Sequence, residues 1–252
     1  MKYLYLSIIT LLSFITLLSH TDSQATEINF PQHLTYKVFK NGIAGGQATL
    51  AFKKHQSKRG PVFRIKLFDF EGLGFKSDQY LITDIDQNNL TLLSSKLFPH
   101  KRANMPIFEA MASDGSDSIL GNSETVYRYA TKGGGGVLET GLYSNYRVID
   151  LLSSFVVASD MVRVSKKQKK EHFDFLIKEK VKNVEMTVSG KKEQIKLEGE
   201  IISTTPVSLQ YTPKGGTPKQ LYTFYIHNSK FFPVKIAFPF EGGTLVELKH
   251  KK

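Results

Sequence analysis

The chain of 252 residues contains no cysteine and no tryptophan. The first absence excludes a disulfide framework, a cysteine nucleophile and a lipid anchor carried on a thiol. A β domain of this size has enough core to fold without disulfides, so lacking them is compatible with export. The second absence counts against a sugar-binding groove, because such grooves usually stack Trp or Tyr on the ring face. There is no Gly-x-Ser-x-Gly elbow. His20 falls in the N-terminal leader, and His33, His55, His100, His172, His227 and His250 are scattered with no metal-ligand spacing. No cofactor, metal or catalytic set is therefore expected. Acidic residues are also sparse, 23 against 34 Lys and Arg, which leaves a formal net charge of +11.

What is present begins with the leader. Lys2 supplies a positive start, and residues 3–19 carry no charge and are rich in Leu and Ile. Polar residues then lead to Ser23 and Ala25, small residues at the two positions a signal peptidase requires. Residues 1–25 are expected to be a cleaved signal peptide, with residues 26–252 forming a single β-rich domain in the periplasm or outside the cell. An uncleaved membrane anchor is the alternative. No second long apolar run follows Ala25.

The positive charge survives removal of the leader, since Lys2 and Asp22 cancel. It gathers at Lys53, Lys54, Lys58 and Arg59, at Lys101 and Arg102, at Lys166, Lys167, Lys169 and Lys170, and at the C-terminal lysines. In an exported protein such clusters face phospholipid headgroups, lipopolysaccharide phosphates or acidic polysaccharides rather than nucleic acid. Lys101, Arg102, Lys166, Lys167, Lys169 and Lys170 are the candidate contacts to an anionic partner, with peripheral membrane contact included. Solubility alone would also account for the charge.

The pattern after Ala25 has period two, with turn residues between short runs. Leu34, Tyr36 and Val38 alternate with polar neighbours and run into Asn41-Gly42, a strong hairpin signal, and Gly45-Gly46 suggests a bulge. Strands are expected over 47–52, 62–70, 77–84, 90–97 and 125–130, with a short helix possible over 103–112. The four glycines 133–136 are followed by Val137 and Leu138 rather than Lys and Ser, so they read as a wide hairpin tip and not a phosphate loop. Residues 148–158 form the best helix candidate, apolar on nearly every side and therefore buried, although their β-branched content leaves a strand open. Leu151, Leu152 and Phe155 would line that buried helix. The last third returns to strands, with Phe173, Phe175 and Ile177, then Val184, Met186 and Val188, then Ile195, Leu197 and Ile201, and four further runs to residue 248. No linker or internal repeat divides the chain. The fold class expected is mainly β: one curved antiparallel sheet or barrel-like shell with one or two short helices.

Three segments resemble a known family. The run from Leu34 to Ala48, including Tyr36, Asn41-Gly42 and Gly46-Gln47-Ala48, is similar to the first hairpin of the bacterial exported proteins grouped as domain of unknown function 3108. Asp150-Leu151-Leu152-Ser153 is similar to that family's helix start, and Phe232-Pro233-Val234-Lys235-Ile236 with Gly243-Thr244-Leu245 resembles its closing hairpin. Ser159 and Asp160 stand near where the family often has Arg, and the stretch from Lys178 to Lys192 is unusually basic. The resemblance implies an envelope protein with a curved β fold and implies no activity.

Three functions fit these features. One is a non-catalytic binding or carrier protein for an amphipathic anionic envelope component, lipid or lipopolysaccharide. The 18 Phe and 11 Tyr on alternating strand positions would suit either a filled core or a greasy lining. The second is an accessory protein docking on an envelope complex. The third is a polysaccharide hydrolase using carboxylates such as Glu139, Asp150, Asp160 or Asp174.

Overall fold

The computed structural model describes residues 29–57, 60–68, 78–100, 102, 106, 108–112, 125–131, 140–143, 147–165, 167–177, 180–239 and 243–248. The expected signal peptide, the glycine run 133–136 and Glu139 lie outside them.

Strands β1 (His33–Lys40), β2 (Ile43–Ser57), β3 (Gly60–Phe68), β4 (Tyr80–Asp86), β5 (Leu92–Phe98), β6 (Phe108–Ala112), β7 (Thr125–Thr131) and β8 (Thr140–Tyr143) follow one another as an antiparallel meander. After β9 (Val148–Ile149) comes the helix α1 (Leu151–Val164), and then β10 (Lys169–Ile177), β11 (Lys180–Val188), β12 (Glu193–Leu197), β13 (Glu200–Tyr211), β14 (Lys219–His227), β15 (Pro233–Phe238) and β16 (Gly243–Leu248). The order across the sheet is β8-β7-β6-β5-β4-β3-β2-β1-β16-β15-β14-β13-β11-β10-β9, with β12 also on β13. First and last strands thus pair at the centre, Val38 opposite Leu245.

Connectivity forces this sheet to curl. Fifteen strands laid flat at about 4.8 Å spacing would hold β8 and β9 roughly 65 Å apart. The chain from Tyr143 to Val148 spans at most about 18 Å. Strand twist supplies the curvature, and the result is a half-barrel wrapped around α1.

Local sequence explains the turns. Asn41 and Gly42 have φ of 51° and 79°, the two positive values of a two-residue hairpin loop that closes Lys40 on Ile43. The register then shifts between Val38 and Phe39, opposite Gly46 and Ala44, where the glycine pair suggested a bulge. The Asp86 carboxylate accepts from the backbone N–H of Asn88 (2.7 Å) and Asn89 (3.3 Å), which folds the β4–β5 connection.

The expected fold class, a mainly β curved sheet, is the one found, and three narrower expectations are corrected. The expected helix over 148–158 starts later and runs further: Val148 and Ile149 are strand, and α1 ends at Val164. Its start is set by Asp150, whose side chain accepts from Ser153 N–H while Ser153 Oγ accepts from Asp150 N–H, a capping box. The antiparallel sheet includes one short parallel pair, β9 with β10, Val148 opposite Asp174. A parallel pair needs a crossover, and α1 is that crossover. Residues 108–112 of the possible helix over 103–112 are strand β6, hydrogen-bonded on both sides. Ile195, Leu197 and Ile201 do not share one strand, because Glu198 and Gly199 turn the chain at φ of 47° and 89°.

Eleven of the fourteen α1 residues are buried, including Leu151, Leu152 and Phe155. The helix touches β3 and β4 of one arm and β9, β10, β11, β13 and β14 of the other. A helix enclosed on both sides needs no polar face. Phe155 meets the edge of Phe224 with ring centroids 5.5 Å apart. The Ser154 and Ser159 hydroxyls turn back on the helix carbonyls of Leu151 and Phe155, so neither is left unbonded in the core.

Candidate functional site

Two polar constellations stand out, at opposite ends of α1. The first is buried at the N-terminal end. The carboxylate of Asp150, 3% exposed, accepts from Thr83 Oγ1 on β4 and from Ser95 Oγ on β5 (2.8 Å) through one oxygen. Its other oxygen accepts from Ser153 N–H and Ser153 Oγ, both at 2.8 Å. Four donors occupy a carboxylate that caps the helix and ties it to the first arm of the sheet. Such a group has no room to accept from a substrate, so its role is structural. Asp160 is paired with Arg163 (2.6 Å). Burial raises the Asp174 carboxyl above its ordinary value, partly opposed by Asn183, whose Nδ2 donates at 3.5 Å. Among the described residues no three His, Asp or Glu side chains gather to hold a metal.

The second constellation surrounds the C-terminal end of α1. Helix residues stop at Val164. Ser165 follows in extended conformation, with its N–H donating to the Met161 carbonyl at 3.0 Å. The chain then passes Lys167 and Gln168 into β10. The turn from β11 to β12, Ser189-Gly190-Lys191-Lys192, lies against that passage: a Cβ on Gly190 would sit 3.4 Å from the Gln168 nitrogen. Ser189 N–H donates to the Pro206 carbonyl (2.8 Å), fixing the turn to β13, and Ser189 Oγ accepts from Lys191 N–H (3.1 Å). Asn228, after β14, closes the far side. Its Oδ1 accepts from Thr205 Oγ1 (2.6 Å) and its Nδ2 donates to Ser203 Oγ (2.7 Å).

These segments enclose a recess of about 360 Å³, within the size range of small-ligand sites. Its lining is mixed, with Val162, Val188 and Phe231 apolar and Lys167, Lys191 and Lys192 cationic. Ser165 also lines it, although its Oγ is closed to solvent and has no hydrogen-bond partner among the described residues.

The sequence candidates divide here. Lys167 lines the recess. Lys169 is paired with Glu171, and Lys170 with Glu185 (2.9 Å), where the lysine holds the Glu185 carboxyl below the usual carboxylate range. Arg102 is exposed in a turn and does not line the recess. Lys101 and Lys166 lie outside the described residues. Leu151, Leu152 and Phe155 belong to the buried body of the helix, and from α1 it is Val162 that reaches the recess. Sequence reasoning passed over Ser165, Lys191 and Lys192. The signal available for the lysines was a Ser-Gly turn carrying two adjacent cations at the end of an unusually basic stretch.

A curled sheet around one helix places the protein among β-barrel-like shells. The structure is similar to the crystal structure of a β-barrel-like protein of domain of unknown function DUF1849 from Brucella abortus, with a TM-score of 0.50 and 12% identity over 85% of this chain and 93% of that one. That likeness is one of fold. The hypothetical lipoprotein YmcC from Escherichia coli (K12) aligns over 92% of this chain and 96% of its own at 12% identity, with a TM-score of 0.38. No family model and no curated protein matches the sequence.

Proposed function

We propose that the protein is a non-catalytic binding protein of the bacterial cell envelope, exported by a cleaved leader, that takes up an amphipathic anionic component such as a lipid or lipopolysaccharide. The observation that carries this reading is the recess at the end of α1, whose lining combines apolar Val162, Val188 and Phe231 with cationic Lys167, Lys191 and Lys192. An acyl chain gains about 0.8 kcal/mol per buried methylene, so a few methylenes against the apolar lining residues suffice for useful affinity. The engagement of Asp150 by four donors supports the non-catalytic part of the reading. The motif resemblance to domain of unknown function 3108 supports the envelope part.

Protein purified gently from its own envelope is expected to carry bound lipid, visible by native mass spectrometry and released by solvent extraction. Intact mass should place the N-terminus at Thr26. Ligand-free protein that also ignores added fatty acid, phospholipid and lipopolysaccharide would replace this reading with that of an accessory docking protein.

A further inference from the structure

We infer that the recess at the C-terminal end of α1 is a phosphate subsite, in which a phosphate group is neutralised by Lys167, Lys191 and Lys192. This deepens the binding reading above and rests on it for the apolar portion of the ligand.

Three observations converge. The first is unmatched charge gathered in one place. Lys169 and Lys170 are matched by Glu171 and Glu185, whereas no carboxylate among the described residues pairs with Lys167, Lys191 or Lys192, and all three line the recess. The second is hydrogen-bond capacity. Ser189 lines the recess, and its Oγ, which accepts from Lys191 N–H, keeps its own proton to donate.

The third is the balance of fields. A helix C-terminus carries about half a negative charge and by itself favours cations. One such end does not need three ammonium groups, and Arg163 in the last turn is already paired with Asp160. The surplus is positive. It calls for a compact multivalent oxyanion rather than a single carboxylate, because phosphate offers three or more acceptor oxygens to donors arriving from two separate connections. Such a group occurs both as a lipid headgroup and as free phosphate, and the apolar lining residues distinguish the two.

The test is titration calorimetry on the purified full chain at low salt with three probes: dodecyl phosphate and a neutral dodecyl glycoside, both below micelle formation, and inorganic phosphate. Dodecyl phosphate is expected to bind about tenfold or more tighter than the glycoside, since a charge-assisted contact is worth at least that factor. Replacing Lys191→Gln together with Lys192→Gln should weaken dodecyl phosphate by about tenfold or more, with the glycoside unaffected. These lysines are exposed, so the substitutions should leave the thermal melt in place, and Lys167→Gln is an independent third variant. Raised salt should weaken the phosphate probe alone.

Equal binding of the two dodecyl probes would overturn the phosphate assignment and leave the amphiphile reading standing. Inorganic phosphate binding as tightly as dodecyl phosphate would uphold the subsite and overturn the lipid reading. Failure of all three probes would overturn both.

Discussion

The Tyr36 hydroxyl on β1 donates to the Pro233 carbonyl at the start of β15, 2.8 Å away and 197 residues along the chain. The bond reaches across β16, which lies between those two strands in the sheet. It joins the first and last hairpins where the two arms meet, and Tyr36 is fully buried there. Tyr36→Phe keeps the ring and removes the bond, so a loss of about 1 kcal/mol is expected in denaturant unfolding. An unchanged midpoint would show that the bond does not hold the arms together.

Asp150 makes the comparable connection for the helix. Asp150→Ala removes the cap and strands the hydroxyls of Thr83 and Ser95 in the core. A cap is worth about 1 kcal/mol and each stranded buried donor about 1–3 kcal/mol, so a loss of roughly 3 kcal/mol or more is expected. Ser95→Ala alone should cost about 1 kcal/mol. Thermal or urea unfolding measures both, and a loss under about 1 kcal/mol for Asp150→Ala would mean the first arm is held by packing alone.

The parts of this fold legible in sequence were those specified locally. Asn41-Gly42 dictated its hairpin because both residues tolerate positive φ, and the nearly all-round apolar character of residues 148–158 pointed to a buried helix, with a strand left open by its β-branched content. Where local preference and pairing disagreed, pairing won. Glu109-Ala110-Met111-Ala112 is made of good helix formers, yet it is strand because β5 and β7 bond it on both sides. The recess was not legible, since it joins residues 162–167, 188–192, 205, 228 and 231. Nor could sequence separate Lys167 from Lys169 and Lys170: the strand register and its carboxylates decide which lysines are neutralised.

Asp174 should give stability a pH dependence of defined sign. Burial raises its carboxyl above the ordinary value of 3.8, so the folded chain holds the proton more tightly than the unfolded chain. Stability from this group is then greatest in acid. It falls as pH rises from about 3.8 through the raised value, and levels off above it. Asp174→Asn stays neutral throughout. Its stability relative to wild type should therefore increase with pH across that window and then reach a plateau. Urea melts of both proteins at a series of pH values would show this, and a difference that is flat or declines with pH would contradict it.

Phe155 tests the helix at the centre of the fold. It is 2% exposed, sits midway along α1 and packs edge-on to Phe224 of β14, so its ring bridges the crossover helix and the second arm of the sheet. Surrounding strands are hydrogen-bonded on both sides and cannot collapse readily into the space a smaller side chain leaves. Phe155→Ala therefore combines the lost transfer energy of the ring with an unfilled cavity, and about 3–5 kcal/mol should be lost. The aromatic contact with Phe224 accounts for about 0.5–1.5 kcal/mol beyond burial, so Phe155→Leu, which restores volume without the edge contact, should recover most of the loss. Denaturant unfolding of the three proteins separates these parts. A loss below about 1 kcal/mol for the alanine variant would mean that the half-barrel does not depend on the helix it encloses.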